Sequence, residues 1–368
     1  MPNCRPERVS ETSPAVGKWL LLCCAMVAFM VVLGGATRLT ESGLSIVDWR
    51  PVTGILPPFS TADWQALFDA YKQSPEFQKA NFWMSLADFK TIYWLEYLHR
   101  LWGRLIGVVF LVPFLWFAAR RRLPGGLALH LSGVFLLGAL QGLMGWYMVK
   151  SGLVDRPSVS QYRLAAHLVL AFVIYGWLLW LAVACLRPGV APASAGPVRF
   201  RGHAVLLAAL ALITVTAGAF VAGIDAGLAY NTFPLMDGRW VPNGIFRMAP
   251  WWINFFENTA TVQFTHRVLG VSTMFVALWL WLRVRTGSRY TAITKSRRLI
   301  ELMAALVSAQ AAIGVATLIH HVPVGLGLLH QAGALAVFTM AIWVVYELGA
   351  DSSAVADARR PNNTAPRR

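Results

Sequence analysis

Eight histidines occur in the 368-residue chain, and four of them form a pattern. His99 stands in EYLHRLWGRLIG, His167 in LAAHLVLAF, His266 in QFTHRVLG and His330 in LLHQAGALAVF. His99 and His167 are 68 residues apart, and His266 and His330 are 64 apart, as a copied unit would give. All four sit within apolar runs, where an ionisable side chain is costly and functional by default. Two imidazoles on facing helices suit haem iron: one binds axially, the second completes six-coordination, and the apolar slot accepts the porphyrin. Zinc or copper wants three or four ligands with carboxylate or thiolate help, and neither pair has a third histidine at its level. The plain alternative is four hydrogen-bonded packing residues, a reading that suits a lone histidine better than four placed by a repeat.

The two copies differ beside the first histidine of each pair. Glu96 precedes His99 by three residues, and Gln263 precedes His266 by three. At that spacing residue and histidine share one helix face, which points Glu96 towards the slot of His99. A carboxylate there can take or give a proton, and an amide cannot. The first copy is therefore expected to be chemically active and the second a fixed carrier. The alternative for Glu96 is an interfacial carboxylate paired with a nearby arginine. Arg100 and Arg267 each follow a histidine directly and could pair with haem propionates; the alternative is an arginine snorkelling to the interface. His130, His203, His320 and His321 fall near span ends, where water and headgroups satisfy them, and are read as structural or solvated.

These residues need elements to hold them, and the composition says which. The chain is 57% apolar and 13% charged, with a mean hydropathy of +0.55. Soluble domains carry about 45–50% apolar and about 25% charged residues, so a water-soluble enzyme is excluded, as are disorder, collagen and coiled coil. No CxxC pair exists among Cys4, Cys23, Cys24 and Cys185, which argues against a thiolate zinc site or a dithiol centre. Eight stretches are long enough to span a bilayer: about 18–37, 93–118, 127–149, 163–186, 203–223, 260–282, 298–319 and 325–347. With the N-terminus inside, the inner segments with Arg298 at the edge of the seventh span hold 19 Lys/Arg against four acids, whereas the outer ones with Arg163 at the edge of the fourth span hold ten of each. Both termini are thus expected in the cytoplasm, and the net charge of +15 reads as topology, with no nucleic-acid partner.

The expected fold is an all-α integral membrane protein of eight transmembrane helices, arranged as two pseudo-twofold-related four-helix bundles. The first and fifth spans both end in small residues, then Ser-Gly-Leu or Ala-Gly-Leu, then a proline-bearing loop. The organisation reads as a cytoplasmic N-terminus (1–17), an N-terminal bundle (18–186), a cytoplasmic linker (187–202), a C-terminal bundle (203–348) and a cytoplasmic tail (349–368). All four histidines lie on even-numbered spans, one to two turns past the outer end, so the paired sites share one depth near the outer face. Two long outer loops, 38–92 with Trp49 and Pro51 and 224–259 with Trp251 and Trp252, are placed to cover the sites from above.

EYLHRLWGRLIG, AGIDAGLAYNTFPLMDGRWVP, FFENTATVQFTHRVLG and GLGLLHQAGALAVF together resemble the haem A synthases, over about residues 18–348. The resemblance implies oxidation of the C8 methyl of haem O to the formyl group of haem A, for cytochrome oxidase biogenesis. It implies two successive hydroxylations with oxygen from water. It assigns His99 and His167 to the substrate haem, His266 and His330 to a resident haem b, and a catalytic role to Glu96. Residues 38–92 lack the cysteine pair that some members carry, so the chain resembles the cysteine-free proteobacterial and mitochondrial branch. The N-terminus, with Glu7 and Glu11, shows no transit peptide, which points to a bacterial inner membrane with the haem sites near the periplasm. The partners implied are haem O delivered by a haem O synthase, an electron acceptor not named by the sequence, the lipid bilayer, and a second copy in a homo-oligomer. Two other readings stand beside this one. A bis-histidine b-type cytochrome carrying electrons from quinol would give no reason for Glu96 to differ from Gln263. A transporter would carry broken or charged helices at the midplane.

Overall fold

The computed structural model describes residues 14–48, 53–123, 125–153, 159–187, 198–286 and 294–358. The expectations for residues 1–13, Trp49, Pro51, most of the 187–202 linker and the arginines of the tail fall outside them. Eight long helices run through the described residues: α1 (Pro14–Leu39), α2 (Leu86–Ala119), α3 (Gly125–Gly152), α4 (Gln161–Leu186), α5 (Val198–Gly223), α6 (Thr259–Thr286), α7 (Thr294–Ile319) and α8 (Val324–Ala358). Each is long and apolar enough to cross a membrane, and the chain is a multi-pass membrane protein. Among the described residues there is no strand, only an isolated bridge between Met236 and Arg239.

The helix ends follow local chemistry more than hydropathy. α2 starts seven residues before the expected 93, because Ser85 and Asp88 form a reciprocal capping box that satisfies orphan N–H groups of the first turn. Its added turns carry Phe89 and lead into Tyr93, and against this pair a short helix (Thr61–Lys72) packs Trp64, Phe68 and Tyr71. Those three recur at helical spacing, so one face of the short helix is aromatic and buried. α1, α2 and α7 end alike. Ser42, Arg122 and Val322 each donate a backbone N–H to the carbonyl five residues back, past a left-handed Glu41, Arg121 or His321. Within α2, Pro113 has no N–H for the Val109 carbonyl, and the Trp19 indole donates to that carbonyl at 2.8 Å.

In the first half, α1 packs against α2 and α4, and α3 against α4, while α2 and α3 touch only sparsely. In the second half, α5, α6, α7 and α8 close a ring. The halves meet where α1 lies on α8 and where α4 lies on α5 and α8. Polar contacts pin that seam: Gln331 donates to the Val31 carbonyl at 2.7 Å, and Tyr175 meets Thr339 at 2.7 Å. Arg38 pairs with Asp225 at 2.8 Å at the end that carries the two long connections, hereafter the loop end. At the opposite end Arg187 pairs with the buried Glu347.

Candidate functional site

Each of the four histidines projects from an even-numbered helix, and each meets a glycine on the helix before it. A Cβ placed on Gly34 of α1 would stand 3.1 Å from the Cε1 of His99, and one on Gly145 of α3 would stand 3.2 Å from that of His167. The corresponding distances are 3.0 Å from Gly218 of α5 to His266 and 2.7 Å from Gly314 of α7 to His330. Ordinary contacts are longer, so the imidazoles rest directly on helix backbone, where an alanine would push them away. Sequence reasoning missed these glycines. The signal was present: Gly145 and Gly314 each follow a glutamine by four residues, Gln141 and Gln310. Both glutamines donate to the carbonyl of the neighbouring histidine, Gln141 to His167 at 3.0 Å and Gln310 to His330 at 2.7 Å.

The rings of His266 and His330 are 6.2 Å apart between centroids and nearly perpendicular, at 85°. Two metal–imidazole bonds of about 2 Å and two ring radii of about 1.1 Å sum to roughly 6.2 Å, so one iron fits between them. The Nδ1 of His266 lies 3.1 Å from the Thr214 carbonyl, an acceptor, so Nδ1 carries the proton and Nε2 keeps a lone pair for a metal. The Nδ1 atoms of His99 and His167 are buried and have no hydrogen-bond partner among the described residues. Among the described residues no group of three or more His, Cys, Asp or Glu could hold a metal ion, so a multi-ligand zinc or copper site has no donor set. The His266 and His330 imidazoles, on glycine-floored helices, suit the axial positions of a haem.

Around the first histidine of each pair a clamp is repeated. Glu96 is buried; its Oε2 accepts from Ser45 Oγ at 2.7 Å and the Ile46 N–H at 2.8 Å, and its Oε1 accepts from Arg100 at 2.6 Å. Arg100 also donates to the Ile46 carbonyl at 2.9 Å. In the second half Gln263 accepts from Arg267 at 3.0 Å and donates to the carbonyls of Ala226 and Ala229. Arg267 donates to the carbonyls of Tyr230, at 2.5 Å, and Thr232, at 2.8 Å. Both long connections are thus strapped down beside a histidine helix. The polarity is reversed: the acid grips N–H and O–H groups, and the amide grips carbonyls. Glu96 spends its hydrogen bonds on the strap and on Arg100, the pairing with a nearby arginine that the sequence offered as the alternative for this acid.

A second buried acid lies outside the spans. Glu76 accepts from Tyr71 at 2.9 Å, and Asn81 donates to the Tyr71 oxygen at 2.8 Å. Burial pushes its carboxyl up to about 7, with the charges of Glu96 and Glu41 adding to the rise. The remaining histidines stand apart from these sites. His130 packs edge-on to Trp177, His203 lies 4.4 Å from the Trp279 ring, and His320 meets the Ala316 carbonyl at 2.8 Å.

The same residues place the chain among known proteins. The COX15-CtaA family model, described as cytochrome oxidase assembly protein, matches residues 17–342. A heme A synthase of Nitrosospira multiformis is 52% identical over 350 residues, covering 95% of this chain and 97% of the relative. One from Paramagnetospirillum magneticum is 50% identical over 339 residues, with 91% and 94% covered. The heme A synthase COX15 of Arabidopsis thaliana is 46% identical over 343 residues, with 90% and 74% covered. Eight apolar helices, four histidines on glycine floors and a match along nearly the whole chain have one conclusion: this protein belongs to the COX15-CtaA family of cytochrome oxidase assembly proteins.

Proposed function

We propose that the protein is a haem A synthase, an oxidoreductase that converts the C8 methyl of haem O to a formyl group in the first half of the chain. The observation that carries this assignment of the halves is Glu96 standing where the repeated clamp has Gln263. Relatives at about 50% identity bearing that name support the activity. In this reading His99 and His167 hold the iron of haem O, and Gly34 and Gly145 set how deep the imidazoles sit. Each hydroxylation takes two electrons and one proton from the methyl carbon, the electrons passing to the acceptor, and a second proton from the water whose oxygen stays on that carbon. The second hydroxylation gives a hydrated aldehyde that loses water to leave the formyl group. Glu96 accepts three hydrogen bonds, two at Oε2 and one at Oε1, which leaves an Oε1 lone pair to accept the proton or orient water. Arg100 holds that carboxylate in place, and the strap at Ser45 and Ile46 closes over it. His266 and His330 are the residues that would hold a haem b, which when bound supplies one-electron redox chemistry. The electron acceptor and delivery by a haem O synthase belong to the same proposal, as do a second copy of the chain and a bacterial inner membrane with the sites on the periplasmic side.

The test is pigment extraction and mass analysis after coexpression with a source of haem O. Haem A or its hydroxymethyl precursor is expected from the wild-type chain. Glu96→Gln should retain haem and lose at least about 100-fold in product, the usual scale of a general base. Normal haem A output from E96Q refutes the role of the acid, and bound haem with no product from any variant returns the protein to the b-type cytochrome reading.

A further inference from the structure

A cavity of about 380 Å³ opens at the loop end of the first half. It lies between α2, which contributes Arg100, α3, which contributes Trp146 and Lys150, and the connection above, which contributes Ile46 and Val47. Arg100 follows His99 in sequence, and Trp146 follows Gly145, the glycine under His167. The cavity is therefore at the rim of the histidine slot. Two cations and an indole line an otherwise apolar hollow, and no carboxylate lines it. Arg100 is largely offset by Glu96 at 2.6 Å. Lys150 has its ammonium 5.0 Å over the Trp146 ring, an attraction that keeps the charge at the cavity.

The matching positions of the second half carry neither the cation nor the indole. Five residues beyond Gly145 stands Lys150, and five beyond Gly314 stands Ile319; Val315 takes the place of Trp146. The helices on either side differ as well: α2 and α3 touch sparsely, whereas α6 and α7 lie against each other. α2 and α3 present apolar side chains outward, Val112 at 61% and Leu136 at 69% exposure. Among the described residues, the first half combines a loose flank with a cation at its rim, and the second half does not.

We propose that the cleft between α2 and α3 is the doorway through which a porphyrin dicarboxylate enters and leaves the first half, and that Lys150 receives one of its carboxylates. This rests on the reading of the first half as the substrate site. A porphyrin of this kind is apolar except along the edge that bears its carboxylates. Arriving from the bilayer, it keeps that edge at the loop end, in water, while its face slides between two helices. A carboxylate losing part of its hydration gains from an ammonium placed at the threshold. A lysine suits a ligand that must also leave, since it is a mobile point charge and does not clamp in a bidentate way. Lipid phosphate offers the same anionic oxygens, and the test separates the two.

The experiment titrates the purified full-length protein, in nanodiscs of zwitterionic lipid, with iron protoporphyrin IX and with its dimethyl ester, reading the Soret difference spectrum above the resident haem. Wild type is expected to bind the diacid about fivefold more tightly than the diester, the upper end of what one partly exposed charge pair contributes. Lys150→Gln should reduce the preference to within about twofold and Lys150→Arg should restore it, with resident haem content equal in all three. A fivefold preference that survives in K150Q overturns the role of Lys150. A preference that disappears when anionic phospholipid replaces the zwitterionic lipid assigns the cavity to headgroups and overturns the proposal as well. A wild-type protein that takes up neither porphyrin refutes the substrate reading beneath it, an outcome distinct from the other two.

Discussion

Gly314→Ala probes the histidine floors at their tightest point. The added methyl would stand 2.7 Å from the Cε1 of His330 and 3.2 Å from its Nδ1. To restore an ordinary contact the ring must retreat by about 0.7 Å, on a side where Gln310 already holds Nδ1 at 3.1 Å and the backbone carbonyl at 2.7 Å. The retreat moves the ring relative to His266, whose 6.2 Å separation suits one iron. Overpacking of this kind costs about 1–3 kcal/mol, which translates into roughly five- to 150-fold weaker retention of a bis-histidine haem. Alanine in a helix regains up to about 1 kcal/mol of intrinsic propensity, so the fold should survive while the site suffers. Gly142→Ala and Gly270→Ala are the controls, because no atom lies within 4 Å of the Cβ at either place. The assay is the haem-to-protein ratio and the low-spin absorption spectrum of each purified variant. The expected order of loss is G314A, then G218A, with both controls at the wild-type level. A G314A protein that keeps full haem and an unshifted spectrum would refute the idea that the glycine fixes the imidazole.

Two further perturbations address the connections. Glu76, raised to about 7 by burial, keeps its proton in the folded protein at pH values where the unfolded chain, near the ordinary 4.5, has lost it. Its stability contribution is therefore fully favourable below 4.5, declines as pH rises towards 7, and is constant above that, by an amount of at most about 3 kcal/mol. Glu76→Gln should remove this slope, so that its thermal midpoint gains on wild type between pH 5 and 8 and not below pH 4; a difference that stays flat across the range refutes the assignment. Asn254 is fully buried and makes a ring of hydrogen bonds, accepting from the Met248 N–H at 3.0 Å and donating to the carbonyls of Met248 and Trp251 at 2.8 Å each. Asn254→Ala leaves those groups unpaired at about 1–3 kcal/mol, and hydrogen exchange in residues 244–258 should accelerate while the α6 core stays protected.

Sequence revealed most where the physics is periodic. The eight spans were legible because hydrocarbon demands about 20 apolar residues at a time. The histidines stood out because a repeat placed them at matching positions in such runs. The edge of α2 was less legible: hydropathy fades before 93, and the turns from Leu86 are added by a capping box and an aromatic face packed on another element. The glycine floors were hidden for a different reason. A glycine in an apolar helix looks like any small residue until the neighbour that presses on it is known. The clamp was half visible, since Glu96 and Arg100 lie one turn apart, but which backbone they hold depends on a connection some 50 residues away in sequence.

The reversed polarity of the two clamps constrains which side chain each of them can accept. Beside His266 the backbone presents carbonyls, and a carboxylate in place of Gln263 would face oxygen lone pairs with nothing to donate. Beside His99 the connection presents the Ile46 N–H and the Ser45 hydroxyl, and an amide there must offer its oxygen inward and leave its NH₂ facing Arg100. Moving the acid from one copy to the other therefore requires re-routing a whole connection together with the side chain. Chemistry and chain path are locked as a unit, so exchanging the two side chains alone would break both clamps.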